Sequence, residues 1–410
     1  MKDVDLYGQI LGLSAPWFVN KVEISVPEHA VKIEVVSKSG HRFKCPECGK
    51  DSPGYDTQRR RWRHLDTCQL QTLIEADVPR INCDDHGVRL VKVAWAEGRS
   101  QFTQLFERFA IDVLQQCSVT AACKLLGITW DEAWGIKERA VRRGLARREP
   151  DEVAQIGIDE KAIAKGHKYY TLVYDLVNPR VLFLTPDREK ASLDRFWPTL
   201  MPWQINSIEA VAMDMWDPFI TSTRENLPEA NSKIVFDRFH VQGYLSKAVD
   251  MVRRQENREL VKEDDERLKG TKYLWLKNPE NMTKKQRSRF RSLKDLDLKV
   301  AKAWAMKENF NWLWSFKYFE SAAKHINAWF KWVAKSKLAP MIKAAETLIR
   351  HMPNILTYLQ HGITNAVAEG LNSKIKWIQS TARGFRNPKN FETAVYFHCG
   401  ALNLYPLESL

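Results

Sequence analysis

Five short apolar segments between residues 155 and 237 constrain the fold of this chain more than any other feature. They have the length and the alternating or continuous apolar character of β-strands, and they occupy residues 155–160, 168–177, 181–185, 208–214 and 233–237. The pair Asn178 and Pro179 forms a turn between the second and third segments. A helical stretch precedes the fourth, and Asp217 with Pro218 predicts an N-cap and a first-turn proline after it. The segments therefore predict an α/β domain.

The strand order, a meander of three followed by strand, helix and strand, is that of an RNase H-like fold. Asp159 falls near the end of the first strand and Asp214 at the end of the fourth. A third acid, Glu369, lies on a predicted helix over residues 364–376. The apolar stripe of that helix is Ala368, Leu371, Ile375 and Ile378, which leaves Glu369, Asn372, Ser373 and Lys376 on the polar face.

Three such acids suit phosphodiester chemistry, because two-metal hydrolysis needs oxygen ligands that hold two Mg²⁺ ions roughly 3.5–4 Å apart. We predict that Asp159, Asp214 and Glu369 bind Mg²⁺ or Mn²⁺ and that Lys376 touches phosphate. Asp237 also ends a strand, so the residues alone leave it a rival for a place in the triad. Each acid by itself fits an ordinary strand end or an exposed helix position.

Two Cys-x-x-Cys/His units near the N-terminus predict a zinc site. Cys45 and Cys48 form the first unit, Cys83 and His86 the second, and 34 residues separate them. A glycine follows each unit and lets the chain turn around an ion. Four nitrogen and sulfur ligands suit a closed tetrahedral Zn²⁺ site, whose role is folding because no position is left for water.

An arginine cluster lies between the two units. Arg59, Arg60, Arg61 and Arg63 flank Trp62 and precede an alternating apolar segment over residues 70–76. This pattern predicts a β-ribbon whose arginines contact DNA phosphates; the alternative is an exposed basic turn.

Residues 103–145 have the pattern of a helix–turn–helix. Ser118 or Thr120 can cap one helix, Gly127 supplies a turn, and Thr129 or Asp131 opens a second helix. We predict that the second helix carries its basic residues on a DNA-reading face, and these are Lys137, Arg139, Arg142 and Arg143. An ordinary helical hairpin would look similar.

The net charge of +13 favours a polyanionic partner, nucleic acid before lipid. Residues 247–337 hold 23 Lys and Arg against 12 Asp and Glu, a net +11, together with six of the fifteen tryptophans. Apolar spacing predicts amphipathic helices there. With no membrane-length apolar run, no signal-peptide pattern and an odd number of cysteines, we expect a cytoplasmic protein in a reducing compartment, with no membrane partner.

Several segments together resemble the DDE transposases of bacterial insertion sequences, specifically the ISL3 family with its N-terminal zinc knuckles. They are GIDE at Asp159, AMDMWDPF at Asp214, FDRFH at residues 236–240, AEGLNSKIK at Glu369, TARGFRN at residues 381–387 and WAEGRSQFT at residues 95–103. The resemblance covers nearly the whole chain.

The resemblance implies that Asp159, Asp214 and Glu369 form the acidic triad and that a helical insertion separates the last strand from Glu369. It implies a transposase that binds the terminal inverted repeats of its element. Activated water would cut the DNA, and the released 3′-OH would attack target DNA in the same site. Arg383 and Arg386 could grip this DNA or form plain salt bridges, and paired ends imply a homo-oligomer.

We therefore expect five segments. Residues 1–100 form the zinc-binding β module, 101–150 the helix–turn–helix domain, 151–240 the first part of the core, 241–360 the all-α tryptophan-rich insertion, and 361–410 the last part of the core. Two alternatives stay open: a zinc-containing DNA-binding regulator, and a structure-specific nuclease that cuts without joining.

Overall fold

The computed structural model describes residues 2–164, 168–363 and 366–406. The chain divides into two compact units, one of Met1–Arg148 with Lys389–Leu410 and one of Glu149–Pro388. The C-terminal residues from Lys389 onward thus group with the N-terminal half, whereas the sequence led us to expect all of 361–410 in the catalytic core. None of the helices in the described ranges has the length and apolar character that a bilayer span requires.

The first unit begins with helix α1 (Asp3–Ile10) and a twisted sheet. Its strands are β1 (Trp17–Ser25), β2 (Ala30–Ser37), β3 (Phe43–Lys44), β4 (Asp51–Ser52), β5 (Gly54–Arg63), β6 (Gln71–Cys83) and β7 (Gly87–Leu90). The sheet order is β1-β2-β6-β5 with β7 also on β6, and β3 and β4 form a separate hairpin. Strands β5 and β6 pair antiparallel, with Trp62 opposite Ile74, and both side chains are fully buried. The predicted β-ribbon is therefore present.

Three helices follow: α2 (Gln104–Gln116), α3 (Val119–Leu126) and α4 (Trp130–Ala146). Ser118 is the residue that caps α3, and its hydroxyl accepts a hydrogen bond from the backbone N–H of Ala121. Thr129 caps α4 and forms a capping box with Glu132. Gly127 ends α3 at φ +63°, a left-handed conformation that glycine adopts without strain. The predicted helix, turn and helix are confirmed at these positions.

The second unit contains the five-stranded sheet. Its strands are β8 (Gln155–Ala164), β9 (Lys168–Asp175), β10 (Arg180–Pro186), β11 (Ala210–Met213) and β12 (Ile234–Phe236), in the order β10-β9-β8-β11-β12. The first three form an antiparallel meander, and β11 is parallel to both β8 and β12. All five predicted strands are present.

Short helices connect these strands: α5 (Lys190–Asp194), α6 (Pro202–Ser207), α7 (Asp217–Asn226) and α8 (Ala230–Lys233). Helix α7 begins one residue earlier than expected, because Trp216 is the N-cap and Asp217 and Pro218 are the first two helical residues. Proline is tolerated there because the first backbone N–H groups of a helix have no partner within it.

Residues 238–361, all of which are described, contain helices and short 3₁₀ turns but no strand. The helices are α9 (Arg238–Lys262), α10 (Lys272–Leu276), α11 (Lys284–Lys294), α12 (Lys299–Asn311), α13 (Phe319–Ala334), α14 (Ala339–Arg350), α15 (Met352–Leu356) and α16 (Tyr358–His361). Trp275 and Trp329 are buried, whereas Trp312 is 65% exposed. The buried residues of these helices form one continuous hydrophobic cluster with those of the sheet, so this segment shares the core of the unit.

Helix α17 (Ala366–Thr381) carries Glu369 and ends the second unit. The predicted start at Thr364 lies outside the described residues. Ala368, Ile375 and Ile378 are buried and Leu371 is half-buried, as the apolar stripe predicted. Helix α18 (Pro388–Cys399) follows, and its Phe397 joins the hydrophobic cluster of the three helices in the first unit.

Candidate metal centres and DNA-binding surfaces

The four predicted zinc ligands converge. The ligand atoms of Cys45, Cys48, Cys83 and His86 all lie within 4.8 Å of one another. Sγ of Cys48 is 3.7 Å from Sγ of Cys83, and Nδ1 of His86 is 3.6 Å from Sγ of Cys83 and 3.8 Å from Sγ of Cys45. Ligands at zinc bond lengths of about 2.3 Å for sulfur and 2.0–2.1 Å for nitrogen are about 3.6–3.8 Å apart in a tetrahedron. The set therefore fits a closed Zn²⁺ site.

Two tight turns bring these ligands together. The first turn joins β3 to β4, where the N–H of Gly49 donates to the carbonyl of Cys45 at 2.9 Å. The second joins β6 to β7. Gly49 and Gly87, which follow the two ligand pairs, have φ values of +74° and +67°. This confirms the sequence expectation that a glycine after each pair permits the bend.

The ligand chemistry also suits zinc. The hydrogen bond with His86 lowers the pKa of the Cys83 thiol to about 6, and the thiolate is the form that binds metal. Among the described residues, this is the one group of three or more Cys, His, Asp and Glu side chains placed to hold a metal ion.

The arginines of β5 lie on two faces of the strand and differ in exposure. Arg59 and Arg61 are exposed and both pair with Glu75 of β6, at 2.8 and 2.6 Å. Arg59 also lies 3.2 Å from Asp77. Both guanidinium groups are therefore ion-paired at the surface of the sheet.

The other two arginines of the strand are held by the fold. Arg60 donates to the carbonyls of Gly98 and Ser100, at 3.3 and 3.2 Å, and lies over the ring of Trp62. The side chain of Arg63 is 10% exposed and pairs with Asp66. Both side chains are therefore anchored within the unit.

Helix α4 presents its basic residues differently from the sequence prediction. Arg142 is exposed. Arg143 is buried and pairs with Glu97 and with the buried Glu107, whose Oε2 is 3.2 Å away. Arg139 pairs with Oε1 of the same Glu107 at 2.5 Å. Arg139 and Arg143 therefore neutralise a buried carboxylate, and of the predicted basic face Arg142 is exposed while Arg139 is half-buried.

Lys137 is also directed inward, with 3% exposure. Its ammonium lies 4.6 Å from the ring centre of Phe397 and 5.2 Å from that of Trp134, and Nζ is 3.4 Å from Nε2 of His398. Burial lowers the pKa of Lys137 to about 8. Residue spacing predicted an exposed Lys137, because α18, the helix that covers it, is far away in sequence and could not be foreseen.

The aspartates of the second unit lie at neighbouring strand positions. Strand β11 is parallel to β8 with Ala212 opposite Gly157, so Asp214 and Asp159 are two residues further along each strand. Strand β8 continues to Ala164, so Asp159 lies in the middle of the strand and not near its end as expected. Asp237 directly follows β12, the other neighbour of β11.

Asp159 is linked to the helix that carries Glu369. Nδ2 of Asn372 donates to Oδ2 of Asp159 at 2.6 Å, and the hydroxyl of Tyr174 donates to Oδ1 of Asn372 at 2.9 Å. Nζ of Lys161 donates to the backbone carbonyl of Asn372 at 3.3 Å. Glu369, one helical turn before Asn372, is exposed. The side-chain amide of Asn372 thus links helix α17 to the neighbouring strands β8 and β9.

Asp214 has a histidine partner. Nδ1 of His240 lies 2.7 Å from Oδ2 of Asp214, and Nε2 lies 3.9 Å from Oδ2 of Asp237. Oδ1 of Asp237 accepts a hydrogen bond from the N–H of Phe239 and caps α9, while its Oδ2 is buried without a hydrogen-bond partner. His240 thus makes a local contact.

The pKa values of Asp159 and His240 are both shifted by their surroundings. Burial, together with the charge of Asp214, raises the pKa of Asp159 above its usual range, although hydrogen bonds to Glu160 N–H and Asn372 oppose the shift. For His240, burial opposes protonation, but the Asp214 contact and the neighbouring aspartates outweigh it and raise the pKa. Carboxylate oxygens are the ligand type that Mg²⁺ and Mn²⁺ prefer. Within the described ranges, the three acids of the predicted triad do not form a compact metal-binding group.

The remaining predicted DNA contacts are exposed. Lys376 lies on α17 one turn after Asn372, and Arg383 and Arg386 follow the helix. Arg383 has φ +53° and Gly384 has φ +93°, so the chain turns sharply there. As far as the described residues go, neither arginine forms an ion pair, so the plain salt-bridge alternative has no partner among them.

Sequence reasoning missed the roles of Asn372, Tyr174 and Lys161. The pairing of β8 with β9 could have pointed to Tyr174. Asp159 lies opposite Leu172, and Tyr174, two positions from Leu172, lies opposite Gly157. Lys161 is two residues after Asp159 and therefore on the same face of β8. Asn372 was placed on the face of Glu369, but its partner depends on how the helix docks.

Comparison with protein families gives three matches along the chain. Residues 156–395 match an ISL3-type DDE domain described as a transposase. Residues 41–86 match the zinc finger of the IS204/IS1001/IS1096/IS1165 transposases. Residues 91–141 match the helix–turn–helix domain of the ISL3 transposases.

Curated proteins are similar over most of their length. The transposase for insertion sequence element IS1557 of Mycobacterium tuberculosis is 27% identical over 425 aligned positions, covering 95% of this chain and 94% of that protein. The transposase for element IS1001 of Bordetella parapertussis is 26% identical, covering 85% of this chain and 86% of that protein.

Proposed function

The chain belongs to the ISL3 family of insertion-sequence transposases, and from that premise we propose that it cuts its element's ends and joins them to target DNA by a DDE two-metal mechanism. The observation that carries the proposal is the hydrogen bond between Asn372 and Asp159. It joins the helix of Glu369 to a strand whose neighbour ends at Asp214. This contact supports a common site for acids that are far apart in sequence.

We assign Asp159, Asp214 and Glu369 as the ligands of Mg²⁺ or Mn²⁺. Such ions, when bound, polarise the phosphodiester and stabilise charge on the entering and leaving oxygens. The chain supplies the rest: Asn372 fixes one oxygen of Asp159, and His240 fixes one oxygen of Asp214. Asp237, which lies beside His240, is a positioning residue in this proposal and not a member of the triad.

DNA is held in two ways. The zinc finger and the helix–turn–helix are the DNA-binding modules of this transposase family, and we propose that they recognise the terminal inverted repeats. Three exposed cations on and just after α17, namely Lys376, Arg383 and Arg386, hold the phosphates of double-stranded DNA. Because the protein must bring two element ends together, we propose a homo-oligomer. Its substrate is bacterial DNA, so we place it in the cytoplasm.

The test is Mg²⁺-dependent cleavage of a duplex that carries the element end. Asp159→Asn preserves side-chain size and should abolish cleavage while end binding persists. Glu209→Gln changes an exposed acid immediately before β11, and it should cleave like the parent. Cleavage by Asp159→Asn at the parental rate would remove Asp159 from the triad.

A second readout separates the proposed function from its alternatives. The products of the parental protein with a target plasmid should include the element end covalently joined to the plasmid through its 3′ end. Cutting without joined product would identify a nuclease. Specific end binding with neither cutting nor joining would identify a regulator.

A further inference from the structure

A cavity of about 630 Å³ lies at the start of α7, the helix that follows Asp214 in the chain. This volume is within the range of about 300–1,000 Å³ that is typical of pockets for small organic groups. Trp216 lines the cavity and follows Asp214 by two residues, and its backbone N–H donates to the carbonyl of Asp214 at 2.8 Å. The position of this wall is therefore fixed by the chain that carries Asp214.

Another lining residue, Arg188, is tied to the strand that carries Asp159. Its guanidinium lies over two rings, 4.2 Å from the centre of Tyr169 and 5.1 Å from that of Trp216. The indole N–H of Trp216 donates to the carbonyl of Arg188 at 3.1 Å. The guanidinium of Arg188 pairs at 2.9 Å with Glu160, the residue after Asp159. The lining of the cavity thus already holds a planar cation against two aromatic rings.

The charges of the lining disfavour a phosphate as the occupant. Three acids, Asp187, Glu189 and Asp217, line the cavity with the two cations Arg188 and Lys190. Lys190 is already paired with Asp194 at 2.9 Å and with Glu225 at 2.6 Å. A neutral planar group that stacks on aromatic rings suits this lining better than an anion does.

Trp216 keeps 38% of its surface exposed in this position. A tryptophan offers a large stacking face, and nucleobases stack on such faces whatever their sequence. Enzymes that act on DNA also remove a base from the duplex stack when the reacting atoms are otherwise inaccessible.

We propose that this cavity receives one unpaired nucleobase of the DNA strand that is cut at Asp159 and Asp214, and that the base stacks on Trp216. The inference rests on the proposed function, because that function supplies the DNA. The phosphate of the same nucleotide lies outside the cavity, toward the carboxylates. The stacked base holds the neighbouring phosphodiester at the reacting position.

The experiment measures DNA affinity in the full-length Asp159→Asn protein, so that cutting does not interfere. One series of duplexes removes the base opposite each of the three nucleotides on either side of the cleaved bond, which leaves a single base unpaired. A second series removes that base itself. At one position, Trp216→Ala should weaken binding of the unpaired-base duplex by about 5- to 100-fold. On the duplex without the base it should cause no loss.

Two further variants separate stacking from structural effects. Trp216→Phe retains a ring and should keep most of the affinity, whereas Trp216→Leu fills similar space without a ring and should behave like Trp216→Ala. Trp203→Ala is the matched control, since Trp203 is 49% exposed in the same unit but does not line the cavity. It should bind both series like the parent.

A loss that is the same with and without the base, at every position, would overturn the proposal and leave Trp216 a structural residue. Equal affinities of Trp216→Leu and Trp216→Phe would also overturn it. Failure of the proposed function is read separately, as absence of cleavage by the parental protein, and does not alter this affinity comparison.

Discussion

The side-chain amide of Asn372 donates a 2.6 Å hydrogen bond to Oδ2 of Asp159. The two residues are 213 positions apart, yet this contact joins the helix of Glu369 to the strand at the middle of the sheet order. The hydroxyl of Tyr174 holds the other end of the same amide. The apolar stripe of α17 alone would allow small shifts along the sheet, and the polar contact fixes the position of the helix.

Asn372→Ala should reduce the rate of cleavage by about 100-fold, because loosening a positioned group by about 1 Å can cost that much. The fold should persist, since the buried stripe of α17 is untouched. Single-turnover cleavage of an element-end duplex measures the effect. Ser373→Ala, which changes an exposed neighbour whose hydroxyl donates to the carbonyl of Glu369 in the same helix, is the control. A parental rate for Asn372→Ala would show that the contact does not position the site.

Metal analysis of the purified protein should find about one zinc per chain. Cys45→Ser removes one of four ligands and should release the metal and destabilise the sheet of the first unit, because binding energy of a structural zinc is folding energy. Cys68→Ser alters an exposed cysteine outside the cluster and should retain zinc. A protein that folds normally and contains no zinc would refute the site.

Two adjacent arginines of α4 should behave differently. Arg143→Ala leaves the carboxylate of Glu107 buried with fewer partners, and losing one partner of a buried ion pair costs about 3–5 kcal/mol. Arg142→Ala removes an exposed side chain and should change the free energy of unfolding by less than about 0.5 kcal/mol.

The affinity of Arg142→Ala for DNA is the second property to measure. We expect the exposed Arg142 to contact a DNA phosphate. Arg142→Ala should therefore weaken end binding and reduce the slope of log affinity against log salt concentration by about one. Urea denaturation and binding titrations at several salt concentrations test both variants. Equal stability of the two would contradict the buried position of Arg143.

The buried His64 should make stability depend on pH. Burial, aided by the charge of Arg63, lowers the pKa of His64 to about 4, and the ring is hydrogen-bonded to Thr103 at 2.9 Å. Above pH 6.5 the ring is neutral in both folded and unfolded chains. Between about pH 6.5 and 4 the unfolded chain binds a proton that the folded chain does not, so stability falls by about 3 kcal/mol in all.

The measurement is the free energy of unfolding at several pH values for the parental protein and for His64→Gln. The variant should lose less stability on acidification over this range, although other groups titrate in both proteins. Parallel pH profiles would show that His64 is not held neutral by the fold.

Local rules were enough to predict the elements and the zinc ligands. The five strands, the two helices and the turn at Gly127 depend on neighbours within a few residues, so they are readable from the sequence, which left each helix cap open between two residues. The Cys45, Cys48, Cys83 and His86 set is readable for the same reason, because each ligand pair spans one tight turn.

Only the tertiary structure decided which polar groups face solvent and which face one another. Lys137, Arg139 and Arg143 share a helix with Arg142, but Arg139 and Arg143 pair with a distant carboxylate and Lys137 packs against the C-terminal helix α18. In the same way, Asn372 hydrogen-bonds to Asp159 only because α17 packs against strand β8. Helical periodicity fixes a residue's direction from the axis, whereas the desolvation and pairing of a charge depend on which remote segment covers it.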